Sequence, residues 1–384
     1  IYNNKFVEIY SLGSDHMARK MGKLKFALIG IVIAGILTLV LFTKNGKIER
    51  LTFAEETNTE ASLGSLDELM ERLSDYPELY RAAFEEDGID PEDNIFIIPG
   101  MDATLTLHHE HEEADICTTM TPQGLAVNKD YLFISAYCQT KEHNSVIYVL
   151  EKKSGSFIKE IVLDGIPHAG GLAYDNNHEL LWVTSEKGDT AQVITLSLKD
   201  IEAYDFADSA EPITYTDSIE LPDIKRASTI TVHGDDLYVA HFDDEETSVM
   251  HRYLISTTED EDGKEVHALD TGKSTEEAYP DDVDKIGKEI QGLAFYREKL
   301  MLSRSAGRKK DSTLLSFDRL KETENFTDKN ASTEITMPSY LEQIAVDGKQ
   351  LYILFESGAY PYRAHGNPSI DRVLRVEIDS LFAE

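Results

Sequence analysis

The sequence predicts an all-β fold, a β-propeller of five four-stranded blades, and two observations carry this prediction. A short apolar motif recurs five times, as QGLAV, GGLAY, STITV, QGLAF and EQIAV, and its equivalent positions are 47, 58, 63 and 51 residues apart. Each copy is followed by a turn and two further strand patterns. A repeating unit of four short strands at this spacing is typical of a propeller blade.

The strands of each predicted unit follow in order. The second strands begin at Tyr131, Leu181, Asp236, Lys299 and Gln350, and the third strands read SVIYVL, AQVITL, SVMHRYL, STLLSF and DRVLRV. A fourth strand follows most units, but the last unit ends with the sequence. We expect residues 103–107 (ATLTL) to supply its fourth strand and close the ring, which hides a sheet edge and makes residues 101–384 one domain.

The N-terminal part is predicted to anchor the chain in a membrane. Residues 26–42 hold no charged side chain, and with Thr43 the apolar run has the length of a membrane-crossing helix. Three lysines precede it, so the N-terminus is predicted to be cytoplasmic and the propeller extracytoplasmic. We interpret residues 1–20 as an upstream segment and 21–43 as a signal anchor; the alternative is a cleaved signal peptide.

A linker and two short helices are predicted between the anchor and the propeller. Residues 44–64 are polar and are interpreted as a linker, followed by a short helical segment over residues 65–100. Ser65 and Glu68 fit a capping box at the start of LDELMERL. Pro77 suits the first turn of a second helix that runs to Phe84.

The charge of the chain excludes one class of partner. The chain carries 71 acidic and 37 basic side chains, a net charge of −34, and after the first 50 residues the balance is −39. Nucleic-acid binding draws on lysine and arginine, so nucleic acid is not expected as a partner. Anionic lipid headgroups would also repel this part of the chain.

Two families of loops are predicted to share one mouth of the propeller. Four arginines among them indicate a small anionic ligand, because guanidinium groups bind carboxylate and phosphate oxygens bidentately. The alternative is that each arginine pairs with a nearby acid and ties blades together. The candidate ligand-binding residues are Gln123, His168, Arg226, His241, Gln291, Arg304, Arg308, Glu342, Tyr362 and Arg363; Tyr137, Glu186, Glu289, Glu356 and Tyr360 share the predicted mouth.

A long loop and a histidine-rich stretch add two further candidates. Residues 357–371 (SGAYPYRAHGNPSID) are predicted either to bind a ligand over the channel or to cover the junction of the last and first blades. If the strand at residues 103–107 continues, His109 and His111 share one face and make a feasible pair of zinc ligands. The alternative is a solvated charged stretch. Three acidic runs, at residues 243–246, 259–262 and 281–284, are expected to hold calcium weakly at most.

The two cysteines flank the first predicted hairpin. Cys117 precedes its first strand and Cys138 follows its second, so antiparallel pairing would bring the two side by side. A disulfide is therefore geometrically possible in an extracytoplasmic location. Two free thiols are the alternative.

Catalytic motifs are few. No GxSxG elbow occurs, and the single tryptophan, Trp182, stands in a second strand where core packing explains it. Carboxylates on the predicted mouth leave hydrolysis open.

The QGLA and GGLAYD motifs resemble those of bacterial propellers of the YncE-like, NHL-like and quinoprotein-dehydrogenase-like group over about residues 115–384. The resemblance implies the fold more than a function. Gluconolactonase-like propellers would imply a Glu/Asn/Asn/Asp metal site, which no motif here matches. Glutaminyl cyclases of the propeller type share the QGL motif at Gln123 and Gln291, but their Glu-Gly-Trp segment does not occur here. We therefore expect a membrane-anchored binding or scaffolding module, with a lactonase-like or cyclase-like enzyme as the alternative, and a divalent metal, Ca²⁺ or Zn²⁺, as the possible cofactor.

Overall fold

The computed structural model describes residues 56–85, 90–259, 265–269, 277–307, 310–318, 320, 325–365 and 368–383. The predicted upstream segment and signal anchor, and most of the predicted linker, lie outside these residues. Within the described ranges no helix combines the length and apolar character needed to cross a membrane.

Two short helices precede the sheets, as predicted. The capping box is confirmed, because Ser65 accepts a hydrogen bond from the Glu68 N–H while the Glu68 side chain accepts one from the Ser65 N–H. Both helices bury apolar side chains against the last two blades. The described helices are α1 (Leu66–Leu73), α2 (Pro77–Phe84), α3 (Leu198–Ala203), α4 (Phe206–Ser209) and α5 (Ile378–Leu381), with 3₁₀ turns at Pro91–Asn94 and Asp328–Asn330.

The described strands are β1 (Ile95–Ile97), β2 (Thr104–Leu107), β3 (Ala114–Cys117), β4 (Met120–Val127), β5 (Tyr131–Cys138), β6 (Val146–Glu151), β7 (Phe157–Val162), β8 (Leu172–Asp175), β9 (Leu180–Lys187), β10 (Thr190–Ser197), β11 (Asp217–Leu221), β12 (Thr229–His233), β13 (Asp236–Ala240), β14 (Val249–Glu259), β15 (Glu265–Leu269), β16 (Asp282–Lys285), β17 (Ile290–Tyr296), β18 (Lys299–Arg304), β19 (Ser312–Phe317), β20 (Thr333–Met337), β21 (Leu341–Asp347), β22 (Gln350–Phe355) and β23 (Arg372–Glu377).

These strands form five antiparallel blades, which confirms the predicted propeller. The first, second and fourth blades are β4–β7, β8–β11 and β17–β20, each in chain order from the inside outwards. The third blade is β12–β13–β14, and its long β14 pairs with β16 near its start and with β15 near its tip. The fifth blade is β21–β22–β23 with β1 at its edge.

The strand that closes the ring differs from the prediction. Strand β1, at Ile95–Ile97, pairs with Arg372–Leu374 of β23, whereas Thr104–Leu107 pairs with β3 in a separate hairpin. The prediction was wrong on this point because residues 103–107 have a close antiparallel partner in Ala114–Cys117, which a short turn brings alongside. The propeller thus includes residues assigned by sequence to the helical segment.

The five inner strands β4, β8, β12, β17 and β21 contact one another in a ring. This close approach explains the glycine of the repeat motif. A Cβ added at Gly171 would lie 2.8 Å from both the Ile230 N atom and the Thr229 Cα atom of the next blade. Such a separation is shorter than van der Waals contact, so the inner strands can pack this tightly only where the side chain is missing.

Candidate functional site

β-bulges interrupt three inner strands at equivalent points of the repeat. They fall between Pro122 and Leu125 in β4, between Ile290 and Gly292 in β17, and between Leu341 and Ile344 in β21. A bulge leaves an extra residue outside the regular pairing and re-aims its side chain. The residues concerned include Gln123, Gln291 and Glu342, which sequence analysis assigned to the mouth.

The side chain of Gln343 closes the centre of the ring. Its Oε1 accepts hydrogen bonds of 2.8 Å from the Leu125 and Leu172 N–H groups, and its Nε2 donates to the carbonyls of Leu172 at 2.7 Å and Ile230 at 2.9 Å. These partners belong to the first three blades, while Gln343 belongs to the fifth. A side chain that joins its own blade to three others lies at their common axis. Gln343 therefore fills the described centre of the ring, and its four hydrogen bonds satisfy the amide group.

Two buried glutamates lie beside this plug. Glu342 is 2% exposed and Glu356 is 9% exposed, and their carboxyl groups interact with each other. Gln123 donates from Nε2 to the Glu356 Oε2 at 2.8 Å. The two acids come from the fifth blade and the amide from the first, so the hydrogen bond from Gln123 crosses the junction where the ring closes.

Burial decides the protonation of this pair. It raises the pKa of Glu356 to about 7, although the hydrogen bonds from Gln123 and Glu342 act in the opposite direction. Burial, and then the charge of Glu356, raises the pKa of Glu342 well above its ordinary value. Glu342 is therefore the protonated donor of the pair, and Glu356 changes its charge near neutral pH. Two adjacent carboxyl groups that share one proton are a frequent arrangement in acid–base sites.

Two tyrosines lie near the two acids, and each of them stacks on a further ring. The Tyr137 and His168 rings stack with centroids 4.4 Å apart, and the Tyr362 and Tyr340 rings stack at 5.0 Å. The Tyr137 and Tyr362 hydroxyls interact with each other, and Tyr137 also donates to Gln139 at 2.7 Å. We call Gln123, Tyr137, His168, Glu342, Glu356 and Tyr362 the mouth cluster.

The mouth cluster contains no fixed positive charge. Burial, followed by the nearby charges of Arg226 and Lys141, lowers the pKa of His168 to about 4, so its imidazole is neutral at pH 7. Burial raises the pKa of Tyr362 to about 12. At neutral pH the cluster thus offers a partly ionised carboxyl pair, one amide, one neutral imidazole and two phenols.

Two of the four predicted mouth arginines form ion pairs with nearby acids. Arg304 pairs with Asp328 and, at 3.2 Å, with Glu334 on the outer strand of its own blade. Arg363 pairs with Asp102 at 2.7 Å and donates to the Met101 carbonyl, so it ties the loop at residues 357–371 to the start of the propeller.

The other two arginines are placed differently. Arg226 is exposed and lies near His168. Arg308 lies outside the described residues. The two paired arginines follow the alternative of ion pairs with local acids, and Arg226 is the described arginine next to the mouth cluster.

Other predicted residues lie apart from the cluster. His241 and Gln291 are partly buried, on the third and fourth blades, and the described contacts do not link them to the two glutamates. His109 and His111 lie in the turn of the β2–β3 hairpin, because β2 ends at Leu107 and does not continue as the zinc prediction assumed. His109 meets the Asn144 Oδ1 at 3.3 Å, and His111 stacks on His108.

A different group has metal-ligand character. Cys117, Cys138 and His143 bring one ligand atom each to within 4.8 Å of one another, and all three are buried. Both cysteines are free thiols in the structure. The disulfide between them stays a prediction.

Sequence analysis missed two residues of this region, Gln343 and Tyr340. A signal for Gln343 was present, since it stands where three other repeats have glycine: Gly124, Gly171 and Gly292. A large polar side chain at a position where three other repeats have glycine indicates a specific structural role for that side chain.

Comparisons with known proteins assign neither a family nor a function. No protein-family model and no curated protein matches the sequence. Solved structures to which the chain is similar include hydrazine synthase from Kuenenia stuttgartiensis, at 12% identity over 61% of this chain with a TM-score of 0.34. This chain spans 55% of that one, about half its length.

This chain matches a larger share of two other solved structures. One is a chain of a nidogen/laminin complex, at 14% identity over 69% of this chain and 85% of that chain, with a TM-score of 0.34. The other is a putative oxidoreductase (glucose dehydrogenase) from Thermus thermophilus, at 15% identity over 72% and 87%, with a TM-score of 0.37.

The sheet topology itself defines the class of protein: a five-bladed β-propeller that is closed by an N-terminal strand and plugged at its centre by a glutamine.

Proposed function

We propose that the propeller is a binding module that holds a small ligand with an amino group at the mouth cluster. The supporting observation is the buried Glu342–Glu356 pair, which has one ionisable carboxylate and hydrogen-bonding neighbours on several sides. An ammonium group would offset the cost of ionising Glu356 in a buried place. The filled centre leaves the mouth, and not a through-channel, as the place for this ligand.

Arg226 extends this proposal to the anionic ligand that the sequence predicted. It acts on His168, which stacks on Tyr137, so a cationic group lies on the histidine side of the mouth cluster. A small zwitterion, such as an amino acid or a short peptide terminus, has the matching charges. The ammonium would bind Glu356 and the carboxylate would bind Arg226.

The cellular setting stays part of the proposal. The apolar run at residues 26–43 supports a membrane-anchored, extracytoplasmic module at the cell surface. A scaffolding role that binds a surface protein is compatible with the same face.

The test is a ligand screen with matched variants of the full chain in detergent. Thermal shift and calorimetry are measured with amino acids, dipeptides, simple amines and dicarboxylates at about pH 6 and pH 8. We expect a zwitterion or amine to stabilise the wild type and Glu186→Gln, whose carboxylate is exposed on the second blade, but not Glu356→Gln. If only dicarboxylates stabilise the protein, and this effect is lost in Arg226→Ala but kept in Glu356→Gln, the proposal of an amine ligand is wrong. The ligand would then be an anion that binds Arg226.

The enzyme alternative has one observation in its favour. A carboxyl group whose pKa is raised to about 7 by burial is suited to general acid–base catalysis near neutral pH. Lactones and glutaminyl peptides are the probes for the lactonase-like and cyclase-like reactions. Turnover that is lost in Glu356→Gln and kept in Glu186→Gln would favour the enzyme.

A further inference from the structure

A group of sulfur and nitrogen atoms lies where the β2–β3 hairpin meets the first blade. Cys117 ends β3, Cys138 ends β5, and His143 stands in the connection between β5 and β6. The exposed fractions of the three residues are 0%, 2% and 8%. The group is separate from the mouth cluster, and nothing in the proposed ligand binding uses it.

The distances fit one small metal ion. The Cys138 Sγ lies 3.5 Å from the His143 Nδ1, and the three ligand atoms all lie within 4.8 Å of one another. With zinc bonds of about 2.3 Å to sulfur and about 2.1 Å to nitrogen, a tetrahedral ion sets its ligand atoms about 3.6 to 3.8 Å apart. An ion at the centre of this group therefore needs only small side-chain movements.

The hydrogen bond from His143 to Asp115 leaves the Nδ1 atom of His143 free to bind a metal ion. Its Nε2 lies 3.3 Å from the Oδ2 of Asp115, so the carboxylate holds the proton on Nε2 and leaves the Nδ1 lone pair facing the two sulfurs. A histidine ligand that donates its other N–H to a carboxylate is the usual arrangement around protein-bound zinc. This contact is a second observation, independent of the cysteines, that points to a metal.

Neighbouring groups also suit thiolate sulfur. The Thr119 N–H donates to the Cys117 Sγ at 3.5 Å, and the Thr119 hydroxyl lies 3.6 Å from both sulfurs. The Thr140 hydroxyl lies 3.2 Å from the Cys138 Sγ. Donors of this kind stabilise deprotonated sulfur. Among the described residues the ligand group has three members, so the fourth position of a tetrahedral ion would be open to water or to a small ligand.

We propose that Cys117, Cys138 and His143 bind one thiophilic metal ion, Zn²⁺, with Asp115 as the residue that positions His143. Binding replaces the two thiol protons, which are released to solvent, and involves no change of oxidation state. The ion joins the hairpin to the first blade. Because a disulfide would use the same two sulfurs, oxidation of the pair and metal binding exclude each other.

The test uses the full chain, reduced and freed of metal, and titrates it with Co²⁺ as a spectroscopic probe and then with Zn²⁺. We expect one equivalent of Co²⁺ to produce the near-ultraviolet band of thiolate-to-cobalt charge transfer, and Zn²⁺ to remove it. Cys117→Ser, Cys138→Ser and His143→Gln should abolish the site. Asp115→Asn should weaken it by about 10- to 100-fold. The Asp115 side chain is 51% exposed, so this variant is expected to fold normally.

The matched control is the double variant His109→Ala and His111→Ala, which removes the histidine pair predicted from sequence and should bind Co²⁺ like the wild type. Three results would overturn the proposal: a reduced chain that gives no thiolate band, a band that persists unchanged in His143→Gln, or a bound ion that is lost in the His109 and His111 variant.

Discussion

Gln123 in the first blade donates a 2.8 Å hydrogen bond to Glu356, which lies 233 positions later at the end of the last blade's second strand. This bond crosses the junction where the ring closes. It joins the first and last blades, which are neighbours in the ring although they are not consecutive in the chain, and it does so inside the candidate ligand site. The candidate site is therefore complete only when the ring is closed.

The Glu342–Glu356 pair predicts a stability that falls as pH rises. Burial raises the pKa of Glu356 from 4.5 to about 7, so the folded chain holds this proton more tightly than the unfolded chain does. The stabilisation is full below pH 4.5 and is lost as the pH rises through about 7. Between about pH 5 and pH 8 we expect the wild type to lose about 2 to 3 kcal/mol of unfolding free energy relative to Glu356→Gln.

Urea unfolding of both proteins at the two pH values checks this prediction. Glu186→Gln is the control and should keep the wild-type dependence, because that carboxylate is exposed. Equal pH dependence in the wild type and Glu356→Gln would show that the buried pair does not titrate in this range.

The plug at the centre predicts a costly substitution. Gln343→Ala removes four hydrogen bonds and leaves buried N–H and C=O groups of the first three blades without partners. We expect a loss of about 3 kcal/mol or more of unfolding free energy. Gln350→Ala, at the partly exposed start of β22, should cost less than about 0.5 kcal/mol. Denaturant titration distinguishes the two, and similar losses would mean that the plug contributes little.

The tight inner ring predicts that Gly171→Ala is destabilising. Its new Cβ would lie 2.8 Å from the backbone of the neighbouring blade, which cannot move without shifting the strand. We expect a loss of about 2 kcal/mol or more. Gly287→Ala is the matched control, because its Cβ would meet only side-chain atoms, the nearer at 3.2 Å. Comparable thermal midpoints for the two variants would argue against close packing at the axis.

The identity of the closing strand is also testable. Phe96 in β1 is 3% exposed and packs 5.7 Å from the Tyr352 ring, so Phe96→Ala should cost about 3 to 5 kcal/mol. Leu105→Ala changes a partly buried residue of the strand that sequence analysis expected at this edge, and it should cost less than half as much. The reverse order of stability would restore residues 103–107 as the closing strand.

Local sequence predicted the blades well because each inner, second and third strand repeats a pattern of apolar residues between turns. The capping box at Ser65 was equally local, since both of its hydrogen bonds join residues three positions apart. The site was only partly predictable. Gln123 and Glu342 were placed on the mouth by their position in the repeat, but the contact of Gln123 with Glu356 depends on ring closure.

Two site predictions rested on a local pattern, and the structure gives their residues different surroundings from those assumed. The zinc pair His109 and His111 assumed a continuing strand, whereas a turn follows Leu107. The arginines were grouped by their place in the repeat, but Arg304 and Arg363 found acids close by. Pairing depends on which carboxylate is within reach, and a repeat pattern does not contain that distance.

The sequence by itself determined that the chain makes five blades, because apolar periodicity and the glycine of each repeat are local properties of the strands. Only the tertiary structure decided which strand closes the ring, that Gln343 fills its centre, and that Glu342 and Glu356 share a buried proton beside Gln123. The physical reason is that the ring closure, the Gln343 hydrogen bonds and the Gln123–Glu356 bond join residues more than a hundred positions apart, while the acid pair titrates as it does because the assembled blades bury it. Their energy depends on burial and distance, which arise only when the blades meet.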